Sequence, residues 1–333
     1  MGRRRLVNAA EAKVLFGLPA DEDSLLRHYT LDPIDRLECE VRRRPHNKLG
    51  FAVQLCVMRH TGRLLGEEEQ PHATVIRYLA DQLGVDSQDY AIYARRVQTR
   101  FEHSRFLTEH LSLHIANKND RRAALLAAID AAAAGDKGYP IVTAVISAFR
   151  QRGALLPSQA AIETIGLAGR AIARRRAEIT LLEDIAAEKL EALDALLHVD
   201  PAIGQTRFYW LRSAPDAPGA SNLIGLTERI AFLHTLEIDP QLQARISSGR
   251  WDQIIREGDA TPAWLATDFG ANRRRATIVA QVIKLGQKLT DDAVTMFIKL
   301  IGRLFSQANN RKKQRHMDAR PETSKILRMF LDT

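Results

Sequence analysis

The chain has 333 residues, 45% hydrophobic and 26% charged, which excludes a disordered tail and leaves room for two or three cored domains. Its net charge is +8, and an arginine-rich surplus of this kind suits polyanions, because each neutralised phosphate releases counterions. The amino-terminal MGRRRLVNAAEAKVLF lacks the apolar core of a signal peptide, and no apolar run is long enough to cross a bilayer, so a soluble cytoplasmic protein with no membrane partner is expected.

Aromatics are only 6% of the chain, and apolar residues recur at helical spacing rather than alternating. The segment GLPADED from Gly17 ends a first helix and starts a second. Arg42, Arg43 and Arg44, followed by Pro45, His46, Asn47 and Lys48, form a basic group before an apolar helix over Leu49 to Met58. Cys56 lies in that helix; it and Cys39 lack metal-ligand spacing and read as reduced thiols. At the helix start, backbone N–H groups and partial positive charge favour a phosphate, which the arginines, His46, Asn47 and Lys48 would grip. A solvated charge run on a loop is the competing reading. Gly62 to Pro71 is a loop holding Glu67, Glu68 and Glu69.

The next segment, VIRYLADQLGVDSQDYAIYARRVQTR from Val75 to Arg100, matches a helix-turn-helix. Ala80 is small where two helices cross, and Gly84 suits the positive φ of the turn. Leu79 and Leu83 face the core, Val85 plugs the turn, and Asp86 or Ser87 caps the second helix. That second helix is expected to display Gln88, Arg95, Arg96, Gln98 and Arg100, the early residues toward base edges and the later arginines toward phosphates. An ordinary helical hairpin would leave the same spacing. His103, His110 and His114 follow, but the LSL between the last two lacks the glutamate of a zinc-helix motif, so no metal is assigned.

Gly135 to Pro140 is a further loop, and Gly153 to Pro157 reads as a domain boundary. A long helical stretch follows to Leu197, with Leu182, Ile185, Leu190, Leu193 and Leu197 in one stripe. SAPDAPGAS, from Ser213 to Ser221, is a linker-like loop. Helices resume at Leu223, Gly258 to Pro262 interrupts them, and a last long helix is expected from Asp291 to Gln314. Arg273, Arg274 and Arg275 follow Gly270 near a helix start and are assigned to the phosphate backbone. Arg170 with Arg174 to Arg176, and Arg311 to Lys313 with Arg315, fan around their helices and suit either a curved phosphate path or a solvated face. Phosphate-loop glycine motifs and a nucleophile elbow are both missing from the sequence.

Several of these blocks resemble one family in fixed order. RRRPHNKLGFAVQLCVMRHTGR, then a proline, then VIRYLADQLGV, then YARRVQTRFEH, is similar to the amino-terminal part of Tn-three-type transposases across about Arg5 to Ile165. Looser agreement continues through Leu190 to Leu197, FYWLR at Phe208 to Arg212, ANRRRATIVAQVIKL at Ala271 to Leu285, and DDAVTMFIKLIGRLF into NNRKKQRH. The resemblance implies recognition of the terminal inverted repeats of a transposon. Family members are about three times longer, and their catalytic part uses three acidic residues and two metal ions. That part would begin after Thr333, so this chain is expected to hold no catalytic residue, no cofactor and no bound magnesium.

The resulting expectation is an all-α, multi-helical protein with two DNA-binding modules, one of them helix-turn-helix-like. Residues 1–152 and 153–290 form the modules, and 291–333 lead toward the catalytic part. The partner is double-stranded DNA, which places the protein at the bacterial nucleoid. A homodimer pairing two transposon ends is implied by the family, and no small-molecule substrate is. A helical interaction module without specific DNA binding is the alternative.

Overall fold

The computed structural model describes residues 5–66, 69–214 and 217–331. Glu67 and Glu68 of the expected acidic loop, and Pro215 and Asp216 of the expected linker, lie outside them. The described residues are overwhelmingly helical, in agreement with the all-α expectation, with one two-stranded ribbon. The chain divides into two compact units, 1–176 and 177–333.

The first unit is built on α4 (Pro45–Thr61). Leu49, Phe51, Ala52, Val53, Leu55, Cys56, Val57 and Met58 are all buried, so the helix is apolar around its whole circumference. Such a helix is stable only when neighbours cover every side. Here α2 (Glu22–His28), α3 (Pro33–Glu40), α5 (Ala73–Leu83), α6 (Asp89–Ala94) and α7 (Val97–His110) pack on it. A second core joins α8 (Lys118–Ala133), α9 (Gly138–Gln151) and the first part of α10 (Gln159–Leu182), with Leu6 and Val7 from the chain start before α1 (Ala9–Phe16). Sequence-encoded caps set several helix starts: Asn8 with Glu11, Asp32 with Asp35, and Asn117 with Asp120 each form a capping box.

The expected boundary at Gly153 is displaced. Gly153 takes φ +66° and turns the chain back on its own unit. There His114 donates its N–H to the Gly153 carbonyl, Leu155 donates to that of His114, and Leu156 to that of Gly62. Ala154, Leu156, Ile162 and Ala173 complete the second core. Glycine and proline mark this turn, but burial keeps the following helix within the first unit up to residue 176.

The second unit contains α11 (Ala187–Ala195), the antiparallel ribbon β1 (Val199–Asp200) and β2 (Gln205–Thr206), α12 (Arg207–Arg212), α13 (Ala220–Thr235), α14 (Ser248–Ala260), α15 (Ala263–Ala266) and α16 (Ala271–Leu331). Its core lies along the start of α16, where Ala276, Ile278, Val279, Ala280, Val282, Ile283, Leu285 and Leu289 are buried. The final helix therefore begins at Ala271, twenty residues before the expected Asp291. The helix runs through Gly286 and residue 290 without interruption, so no break falls at 290. Beyond the core, Val294, Phe297, Ile298, Leu304 and Phe305 are exposed along α16.

Candidate nucleic-acid interface

The amino terminus of α4 meets the junction between α6 and α7. Gly50 allows the meeting: a Cβ there would lie 2.1 Å from Tyr93 ring atoms, so only a glycine lets α6 approach this closely. The buried Tyr93 ring stacks on His103 with centroids 5.5 Å apart, and its hydroxyl lies 3.1 Å from His103 Nδ1. Phe51 meets the same imidazole edge-on at 5.3 Å. Burial pushes the His103 pKa down to about 4, and nearby Arg42 adds to the effect, so this imidazole is neutral at pH 7.

His46 is buried at the head of α4, and its Nε2 accepts a hydrogen bond of 3.0 Å from Arg96 Nη1. Burial lowers its pKa, with Arg96 and Arg44 acting in the same direction. This contact ties the α6–α7 junction to the basic group before α4. Asn47 Oδ1 is buried and has no hydrogen-bond partner among the described residues.

The predicted basic residues fall into two groups. Arg43, Arg44 and Arg95 are exposed and carry no ion pair among the described residues. The others are engaged within the protein. The Arg42 guanidinium sits 3.8 Å from the Phe51 centroid and 4.6 Å from that of Phe106, and donates to Glu38. Lys48 pairs with Glu40. Arg100 donates to the carbonyls of Gly66 at 3.0 Å and Ala94 at 3.4 Å, and Gln98 donates to Glu102 at 3.0 Å. In this structure Arg42 is held by Phe51, Phe106 and Glu38, and Arg100 by backbone carbonyls.

In the segment read as helix-turn-helix, the first helix and the turn form where expected. Leu79 and Ala80 are buried, and Gly84 caps α5 with φ +63°. The second helix differs, because α6 ends at Ala94 and α7 starts at Val97. Gln88 is the exposed residue before α6, while Arg95 and Arg96 occupy the break and Gln98 and Arg100 belong to α7. Neither proline nor glycine marks that break. Val97 and Phe101 of α7, not singled out from the sequence, are 67% and 65% exposed.

Arg273, Arg274 and Arg275 open α16 but face carboxylates. Arg274 Nε and Arg275 Nε each lie 2.8 Å from an oxygen of Asp194, fastening α16 to α11. Arg273 pairs with Glu257 of α14 and stacks 3.8 Å above Phe269. Burial opposes ionisation of Asp194, yet the two arginine hydrogen bonds prevail and hold its carboxyl below the usual value. The phosphate-contact expectation meets a stabilising role here.

His110 stacks on Phe106, whereas His114 Nε2 lies 2.9 Å from Asp120 Oδ2 beyond the end of α7, so the two imidazoles do not converge. No set of three metal-ligating side chains occurs among the described residues. None of the described helices is long and apolar enough to cross a membrane.

A family model described as a domain of unknown function (DUF4158) matches residues 6–168, most of the first unit. Over nearly the whole chain the similarity is to transposases. The transposase for transposon Tn3926 of Escherichia coli is 31% identical over 331 residues, covering 99% of this chain and 33% of that protein. The similarity is to Tn-three-type transposases along almost the whole of this chain. The transposase for transposon Tn21 of Escherichia coli is 33% identical over 315 residues, and that for Tn501 of Pseudomonas aeruginosa 31% over 315, each covering 94% of this chain. The chain spans about a third of the length of these transposases.

Proposed function

We propose that this chain binds duplex DNA at transposon ends and serves as the end-recognition part of a transposase, without catalytic chemistry of its own. The observation that carries the reading is the cluster of Arg43, Arg44 and Arg95. These side chains are exposed and carry no ion pair among the described residues, and the elements that bear them, the start of α4 and the α6–α7 break, are joined by the His46–Arg96 contact. Similarity to transposases over nearly the whole chain supports DNA as the polyanion. In this reading phosphate contacts position the chain on the duplex and a neighbouring helix reads bases.

Binding to a terminal inverted-repeat duplex, followed by fluorescence anisotropy across a salt series, tests the reading. Each phosphate contact contributes about 0.9 to the slope of log affinity against log salt. Replacing Arg43, Arg44 and Arg95 together by alanine is expected to reduce the slope by about 2.7. Equal, weak binding to every duplex would refute end recognition and leave a helical interaction module.

A further inference from the structure

Helix α7 is held on the α4 core by one face. Arg100, His103, Ser104 and Leu107 recur at helical spacing and reach Ala94, Tyr93, Gln54 and the apolar core respectively. Val97 and Phe101, four residues apart and so adjacent on the surface, run along the edge of that face and are solvent-exposed. Arg95 stands at the entrance of this helix, and Arg43 and Arg44 precede α4 across the His46–Arg96 contact.

Exposed apolar residues are ordinary when scattered singly. Here an apolar pair is bordered by unneutralised arginines, a poor match for an apolar protein surface. It matches the major groove, which offers phosphates at its edges and the thymine C5-methyl on its floor. α6, at six residues, spans about 9 Å, whereas the 14 residues of α7 span about 21 Å, enough to lie in a groove. We propose that α7, rather than α6, enters the major groove, and that Val97 and Phe101 read thymine methyl groups. The proposal rests on the DNA-binding reading above. Its contact segment is the first two turns of α7, because Arg105 and Glu109 pair with each other further along at 3.8 Å. Helices of this kind use their amino-terminal residues on base edges.

The experiment enriches duplexes from a randomised library with the full chain, then rebuilds the enriched duplex with deoxyuridine replacing each thymidine in turn. Loss of a contacted methyl is expected to weaken binding by about fourfold, the worth of one buried methyl-sized group. The Val97→Ala/Phe101→Ala variant is expected to bind thymidine and deoxyuridine duplexes alike. Both side chains are exposed, and circular dichroism of the variant checks its fold. Equal wild-type affinity for both bases at every position, or a deoxyuridine penalty that survives in the variant, overturns the proposal while DNA binding itself stands. Failure to enrich any duplex overturns both readings.

Discussion

Gly50→Ala probes the contact on which the interface is assembled. The added Cβ would fall 2.1 Å from Cδ1 and Cγ of Tyr93 and 2.4 Å from Cδ2. Carbon atoms settle at about 3.5–4 Å, so the ring must retreat by about 1.5 Å. Tyr93 is 1% exposed, and its hydroxyl is bonded to His103, so there is no free space for the retreat. Overpacking costs about 1–3 kcal/mol, and a lost hydrogen bond adds about 1 kcal/mol. Against this, alanine is favoured over glycine inside a helix by about 1 kcal/mol. The expected net destabilisation of the first unit is roughly 1–3 kcal/mol. Urea unfolding followed by far-UV circular dichroism measures it. Trp210, Trp251 and Trp264 all lie in the second unit, so tryptophan fluorescence reports a transition that the substitution should leave in place. Adding Tyr93→Ala opens the space and should reverse the sign of the Gly50→Ala effect in that background. A Gly50→Ala protein as stable as the parent, or unchanged coupling in the double variant, would refute the packing argument.

The first unit is expected to lose stability as pH falls from about 6.5 toward 4. Burial, with His28 and Arg150 nearby, pushes the His60 pKa down to about 4, and His103 behaves alike. Between those limits the unfolded chain binds protons that the folded chain refuses, so unfolding gains. Urea midpoints at pH 7.5 and 5 check this, and His60→Gln should flatten the dependence. A midpoint independent of pH across this window would contradict the burial argument. Arg42→Ala is expected to destabilise the first unit by about 1–2 kcal/mol through lost cation–π packing on Phe51 and Phe106. It should leave the salt slope of DNA binding unchanged, and a slope reduced as for Arg95 would restore Arg42 to the contact surface.

Local chemistry already in the sequence determined the helical class and many helix ends. The 3.6-residue spacing of apolar side chains, the capping boxes at Asn8 and Asn117, and the glycine at 84 act over a few residues and need no tertiary information. The family blocks were legible for the same reason, since their residues stand in linear order. What tertiary structure alone decided is which cations stay free. Arg274 and Arg275 meet Asp194, some eighty residues earlier in the chain, and Arg42 is covered by the rings of Phe51 and Phe106. A run of arginines looks alike in sequence whether its charges face solvent or a distant carboxylate. The break at Arg95–Arg96 was equally hidden, because no proline or glycine causes it. It lies where α4 holds both sides of the junction: Gly50 admits the Tyr93 ring before the break, and His46 takes the hydrogen bond of Arg96 within it. Long-range packing therefore turned one expected recognition helix into two shorter ones and left Arg43, Arg44 and Arg95 as the exposed group.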